Sequence, residues 1–173
     1  MVTLSVLAIL LGIAAPSVRQ FIINNRLTEQ ANGLLADLSR ARSEAGARHT
    51  PVTVCAAENE VTCAAAGTTN WESGWIVFAD ADEDGVVAGA ADIIRYRAPF
   101  DGQATLVSSK FSNAGYLTFR PHGGFPPSSF QSLDPDDPPI FKLCDPDTTI
   151  GRKIEFRGLV SRLAVVKDEN LCP

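Results

Sequence analysis

The chain has 173 residues, 45% of them hydrophobic and 20% charged, which is enough apolar material for a real core and too much for a disordered chain. The formal net charge is −5 and the isoelectric point about 5.0, which argues against a surface devoted as a whole to nucleic acid. No G-x-S-x-G, H-E-x-x-H or Walker pattern occurs, so the commonest hydrolase and nucleotide-binding signatures are missing.

The first fifteen residues, MVTLSVLAILLGIAA, carry no charge and no strongly polar group. A stretch of about fifteen is short for a membrane span, which needs about twenty. It is also a poor signal peptide, because no basic region precedes it and the helical pattern runs on through its end. The competing reading is a cleaved signal followed by a short first helix. Pro16 marks an expected kink. Beyond it Val18, Phe21, Ile22, Leu27, Ala31, Leu34, Leu35, Leu38, Ala41 and Ala45 recur at steps of three and four. The opposite face carries Arg19, Gln20, Asn24, Asn25, Arg26, Glu29, Asp37, Arg40 and Arg42. The spacing predicts one long helix over 1–48, apolar all round in its first third and amphipathic afterwards. Gly46 and the pair Thr50-Pro51 are expected to end it.

After Pro51 the pattern changes to period two with β-branched residues, and predicts strands over 52–56, 75–79, 93–97, 104–108, 116–120, 140–143, 153–156 and 159–165. Gly, Pro, Asn and Asp punctuate them, and 123–139 reads as a long loop. No helical periodicity follows residue 48. A long helix followed only by strands is an α+β arrangement, with the helix laid on an antiparallel sheet. Residues 1–23 then form the apolar half of the helix, suited to lipid or a bundle of like helices. Residues 24–173 form the globular domain.

Cys55, Cys63, Cys144 and Cys172 make no C-x-x-C pair, and His49 and His122 lie near none of them in sequence, so no zinc site is expected. An even number of cysteines behind an apolar leader points to disulfides in an oxidising compartment. Three pairings are possible. Proximity in sequence favours Cys55–Cys63 and Cys144–Cys172, each contributing roughly 2.5–3.5 kcal/mol in the chain-entropy model.

Asp80, Asp82, Asp84 and Gly85 have the D-x-D-x-D-G spacing of a calcium loop. The twelfth position is Ala91 rather than Glu, and a strand rather than a helix precedes the loop. An acidic hairpin turn is the plainer reading, and no cofactor other than calcium is suggested. Asp134, Asp136 and Asp137 sit in the proline-rich loop and read as solvated. Trp71, Trp75 and Phe78 read as core and sheet packing. Neither His49 nor His122 has a nearby Ser or Cys nucleophile in sequence, so a secreted hydrolase is the least supported alternative.

The N-terminal segment MVTLSVLAILLGIAAPSVRQFI, its continuation NNRLTEQANGLLADLSRARSEAGARHTPVTVC, and WESGWIVFADADEDG (71–85) resemble the GspH/FimT family of minor pilins and pseudopilins. The Pro16 kink, the Asn24-Asn25-Arg26-Leu27 step, the Ala41–Ala45 segment and the Trp-x-x-Gly-Trp strand carry the resemblance. Cys144 and Cys172 fit the family's last hairpin. The family places a short basic leader and Gly-Phe-Thr-Leu-Ile-Glu before the Met-Val-Thr found here at the start. A peptidase site and a helix-end glutamate are therefore expected upstream of Met1. A carboxylate in lipid needs a partner, which the family is thought to supply from a neighbouring subunit's N-terminal amine.

The resemblance implies a non-enzymatic minor pilin of a type IV pilus, acting in assembly or priming through helix packing in the fibre core. It also allows a minor pseudopilin of type II secretion. The implied partners are other minor pilins with the major pilin, or pseudopilins, and the inner membrane before passage into a periplasmic or surface fibre. Some FimT-like members bind DNA through a Gly-Arg-x-Arg turn. The matching place here, Ser161-Arg162-Leu163-Ala164, keeps one Arg. Arg152, Lys153, Arg157 and Arg162 could form a small basic cluster. Four scattered cations on an acidic protein favour solvated strand ends over a DNA receptor.

Overall fold

The computed structural model describes residues 2–126, 129–131, 134, 136–157 and 162–172, with side chains described from Val18 onward. One helix, α1, runs from Val2 to Arg48 without interruption at Pro16. It also passes through Gly46, where the sequence pattern placed a stop. A Cβ at Gly46 would lie 3.5 Å from the Pro121 carbonyl, an ordinary contact, so the 121–124 turn packs beside the helix at this point. The helix ends at His49, which takes the left-handed conformation (φ 54°) ahead of Thr50-Pro51.

Among the described residues eight strands follow: β1 Val52–Ala56, β2 Trp75–Ala79, β3 Ile93–Arg97, β4 Thr105–Ser109, β5 Tyr116–Phe119, β6 Ile140–Cys144, β7 Gly151–Arg157 and β8 Arg162–Asp168. The first six fall where period-two patterning puts them, to within one residue. The last two are longer or shifted toward the C-terminus, and residues 159–161 of the expected final strand lie outside the described residues. A 3₁₀ turn, Ala90–Asp92, precedes β3.

The expectation of one sheet under the helix is replaced by two. One has the order β3-β2-β1-β5 and the other β4-β6-β7-β8, every pair antiparallel. β5 returns to pair with β1, whereas β4 turns away to pair with β6. The segment before β2 joins the sheets. The Trp71 amide donates to the Leu106 carbonyl at 2.7 Å and the Ser108 amide to that of Thr69 at 2.8 Å. These pairings are distant in sequence, so local patterning carries no trace of the split.

α1 packs on both sheets. Leu27, Leu34, Leu38, Ala41 and Ala45 are fully buried, as the three-and-four spacing requires. They meet Val52, Val54, Trp75 and Val77 of the first sheet and Leu106, Phe141, Ile154 and Phe156 of the second in one core. Trp71 stacks edge-on against Phe141 at 4.8 Å, and its indole N–H donates to the Ala114 carbonyl at 2.9 Å. The outer face of the first sheet holds a smaller cluster of Cys55, Ala57, Ile76 and Phe78.

Asp37 departs from the sequence reading, which placed it on the solvated face. It is 3% exposed. Its carboxylate accepts from the Trp75 indole N–H at 3.0 Å and from Arg97 Nε and Nη2 at 3.3 Å, and pairs with Arg95 Nε at 2.9 Å. Trp75 is in β2; Arg95 and Arg97 are two residues apart in β3 and so share one face. The helix is thereby tied by charge to the first sheet. Gly74 makes that register possible. Its φ is +97°, and a Cβ there would sit 2.1 Å from the Arg97 carbonyl oxygen.

Removing one side of a buried charged cluster strands the other. Asp37→Ala should lower stability by about 2–4 kcal/mol, seen as a fall in the denaturant midpoint at unchanged slope. A change below about 0.5 kcal/mol, the size expected of a surface site, would mean the cluster does not hold the helix.

Candidate functional site

Three surfaces carry the residues singled out by the sequence. The first is the N-terminal part of α1. Burial begins at Ile23, and before it Val18, Phe21 and Ile22 are 54%, 65% and 53% exposed. The sequence reading puts residues 1–23 in the apolar half of the helix, suited to lipid or a bundle of like helices, and these three lie within it. In the structure the domain stops short of them, because on this stretch it offers the helix only loop residues such as Gly102, Gln103 and Asp147. Arg19 donates to Asp147 at 2.8 Å, an exposed pair of small energetic weight. Among the described residues no helix is long and apolar enough to cross a membrane.

The second surface is the acidic turn after β2. Carboxylate oxygens of Asp80, Asp82 and Asp84 lie within 4.8 Å of one another. Asp82 and Asp84 are exposed, while Asp80 is buried. Asp80 Oδ2 accepts from the Thr53 hydroxyl at 2.6 Å and the Gly85 amide at 3.1 Å, and Oδ1 from the Asp84 amide at 3.3 Å. Thr53 in turn shares a hydrogen bond of 2.7 Å with Thr118, so the turn is sewn to three strands. Burial pushes the Asp80 carboxyl above its usual range; the bonds from Thr53 and Gly85 oppose this, and Asp82 and Asp84 add to it. A calcium ion takes six to eight oxygens, and here the most buried carboxylate already serves the protein's own donors. Glu83, at φ 58°, forms a two-pronged pair with Arg120, with contacts of 2.7 to 3.2 Å. Sequence reading missed this pair, since only the fold brings β5 to the turn.

The third surface holds the four cations Arg152, Lys153, Arg157 and Arg162 on β7 and β8. Arg152 is 8% exposed and donates to the Thr28 hydroxyl of α1 at 3.1 and 3.2 Å and to the Gly151 carbonyl at 3.1 Å. Burial lowers its pKa from the usual arginine value. Lys153 pairs with Glu155 at 3.0 Å and Asp168 at 3.2 Å. Arg157 Nε donates to Glu155 at 2.7 Å. Arg162 is exposed and lies directly across from Arg157 in the hairpin. Three of the four cations are thus engaged within the protein, and one has its donors turned toward the helix.

Both favoured disulfides are present: Cys55–Cys63 and Cys144–Cys172. The first closes a loop whose ends also pair through an Ala57–Cys63 bridge. The second ties the tail to the end of β6. Trp71, Trp75 and Phe78 are fully buried, as expected of packing residues. His49 caps the helix and His122 lies in the turn after β5. Lys110 pairs with Asp137, and the Asp136 amide donates to Asp134, which places that acidic run in an ordinary loop.

Glu155 and Asp80 titrate in opposite senses. Burial alone would raise Glu155, but Lys153 and Arg157 together hold it below its usual value. The folded state therefore favours the ionised carboxylate. This stability is complete above the ordinary glutamate range, near about 4.3, and is lost as pH falls through the lowered value. Asp80 is raised, so the folded state holds its proton more tightly and this group subtracts stability as pH rises past the ordinary carboxylate range. In urea titrations below pH 5, Glu155→Gln should flatten the acid-side loss of stability relative to the parent. An unchanged slope would show that the triad contributes nothing to the pH profile.

Comparison with known proteins adds the following. A family model described as type II transport protein GspH matches residues 30–148. That interval starts within α1 and runs through β6, so it includes the helix–sheet junction, the Trp-x-x-Gly-Trp strand and the acidic turn. No curated protein matches the chain. Two crystal structures of the type IV minor pilin FimU from Pseudomonas aeruginosa are similar in fold, both at 22% identity. One gives a TM-score of 0.54 over 81% of this chain and 92% of that one. The other gives 0.58 over 84% and 92%. The α+β fold, one long helix on antiparallel sheets, is that of a pilin, and the chain belongs to the GspH family.

Proposed function

We propose that the protein is a minor pilin of a type IV pilus, a subunit that enters the fibre by its N-terminal helix and presents the β domain outward. The observation that carries the reading is the change along α1. From Ile23 onward its apolar stripe is used up inside the domain, whereas Val18, Phe21 and Ile22 are left exposed on a helix that continues to Val2. Exposed apolar residues in succession on one helix call for lipid or other helices. The fold likeness to FimU supports the same reading. The sequence 1–15 has the composition for an apolar environment. Partners on this reading are other pilins, and the location is the inner membrane before assembly and a fibre afterwards. The function requires no catalysis.

A second reading, a minor pseudopilin of type II secretion, is favoured by the description of the matching family model. The physics of assembly is the same, and the machine differs. The deciding experiment is to shear surface fibres from native cells and identify this chain and its N-terminal residue by mass spectrometry. Recovery with pilus subunits, and loss of recovery in Phe21→Asp with Ile22→Asp, is the expected outcome. Absence from fibres, with secretion of a type II substrate lost on deletion, would replace the first reading by the second.

DNA reception is the reading least favoured by the charges. Arg152, Lys153 and Arg157 are occupied by Thr28, Glu155 and Asp168, which leaves few cations to release counterions from phosphate. A mobility-shift assay with the protein in detergent should show no retained DNA at low salt. Retention abolished by Arg162→Ala would overturn this.

A further inference from the structure

Apart from the helix, the exposed large hydrophobic side chains among the described residues are Val61, at 52%, and Val86, at 60%. They come from different loops, yet both line one groove of about 280 Å3 on the outer side of the first sheet, floored by Ala64, Val87 and Tyr116. Each is held in place by its own clamp. The Val61 loop is closed by the Cys55–Cys63 disulfide, and the Val61 amide donates to Asn59 Oδ1 at 2.9 Å. On the other wall the Val86 amide donates to Asp84 Oδ1 at 2.7 Å. The turn before it is fixed by the Glu83–Arg120 pair and by Asp80. Gly85 lies against the Tyr116 ring, where a Cβ would come within 2.5 Å, so the turn cannot lift off the groove floor without losing that contact.

Holding two valines rigidly in water gives the isolated subunit nothing. Rigid presentation of apolar side chains lowers the ordering cost of binding. Exposed carboxylates stand on both loops that wall the groove, and Asp84 lines it directly. Glu58 and Glu60 are exposed on the Val61 loop, and Asp82 and Asp84 are exposed on the Val86 turn. An apolar centre with an acidic border fits an apolar side chain flanked by lysine or arginine, and repels an acidic or second identical surface.

We propose that this groove is a docking site for a neighbouring subunit of the same assembly, which inserts an apolar side chain with basic residues beside it. The inference rests on the fibre-subunit reading. It assigns to the Cys55–Cys63 loop and the acidic turn a joint role, with the two valines as the contact and the four carboxylates as the selector. The overall charge of −5 makes an unlike, basic-faced partner a better match than a second copy of this chain.

The test is site-specific photo-crosslinking in native cells. Benzoylphenylalanine would replace Val61 or Val86 in turn, with Lys167 on β8 as the exposed control, in the full chain. The expected result is a crosslink from both valine positions and none from position 167. Peptide mapping should place the attachment on one pilin-type protein, at an apolar residue with Lys or Arg within two positions. Glu58→Lys with Glu60→Lys should cut the crosslink yield by about tenfold, equivalent to about 1.4 kcal/mol. The chain's thermal midpoint serves as the folding control. No crosslink from either valine while the chain is present in fibres would overturn the docking site and leave the fibre reading standing. Attachment to an acidic segment, or to a second copy, would overturn the partner assignment. If the chain is absent from fibres, the fibre reading fails first, and with it the assignment of the groove to a fibre neighbour.

Discussion

A single buried carboxylate connects the two halves of this molecule. Asp37 projects from a helix whose neighbouring faces are filled with Leu34, Leu38 and Ala41, and it finds the Trp75 indole and two arginines waiting on the first sheet. Hydrophobic packing alone would let an amphipathic helix slide or rotate by small steps over a sheet, since it has no direction. A charged, bidentate contact has direction, and it fixes both the rotation and the height of the helix. Arg97 also lies over the Trp75 ring at 5.8 Å, so the cation is held from two sides. The position of every other feature along the helix follows from that register.

One consequence is the boundary at Ile23. With Asp37 fixed, the domain covers the helix as far as Ile23 and leaves Val18, Phe21 and Ile22 uncovered. The same helix is therefore covered by the domain over one stretch and exposed over the stretch before it, without a break in its backbone. Within the domain it packs against both sheets. Arg152, from the second sheet, reaches the Thr28 hydroxyl and adds a polar contact near the lower end. Asp37 ties the helix to the first sheet and Thr28 ties it to the second, so the helix adds a second link between sheets that the segment before β2 already joins.

Several charged groups outside this junction are paired locally. Glu155 sits between Lys153 and Arg157, and Glu83 meets Arg120. These sets explain why a basic cluster that is visible in the sequence does not present four open cations. Exposed carboxylates also stand on the Glu58–Glu60 loop and the Asp82–Asp84 turn, on the loops that carry the two exposed valines. The disulfide there and the Asp80 hydrogen bonds fix the shape of that surface independently of the helix. The fold thus sets the exposed apolar stretch of the helix apart from a groove on the outer sheet that Val61, Val86 and Asp84 line.

The sequence by itself determined the long helix, the order and approximate extent of the strands, the disulfide pairing favoured by proximity, and the burial of Trp71, Trp75 and Phe78. These follow from periodicity and short-range spacing, which act within a few residues. Its wording of the acidic turn was also legible, because alternate aspartates before a glycine announce a tight turn. Only the tertiary structure decided that Asp37 is buried, that the strands split into two sheets, and that Val61 and Val86 line one groove. Two arginines at alternate positions of β3 were a faint signal that a counter-charge must exist, but nothing local names which acid supplies it. Such contacts join residues tens of positions apart, and their free energy depends on the geometry of the whole body rather than on any pattern within a segment.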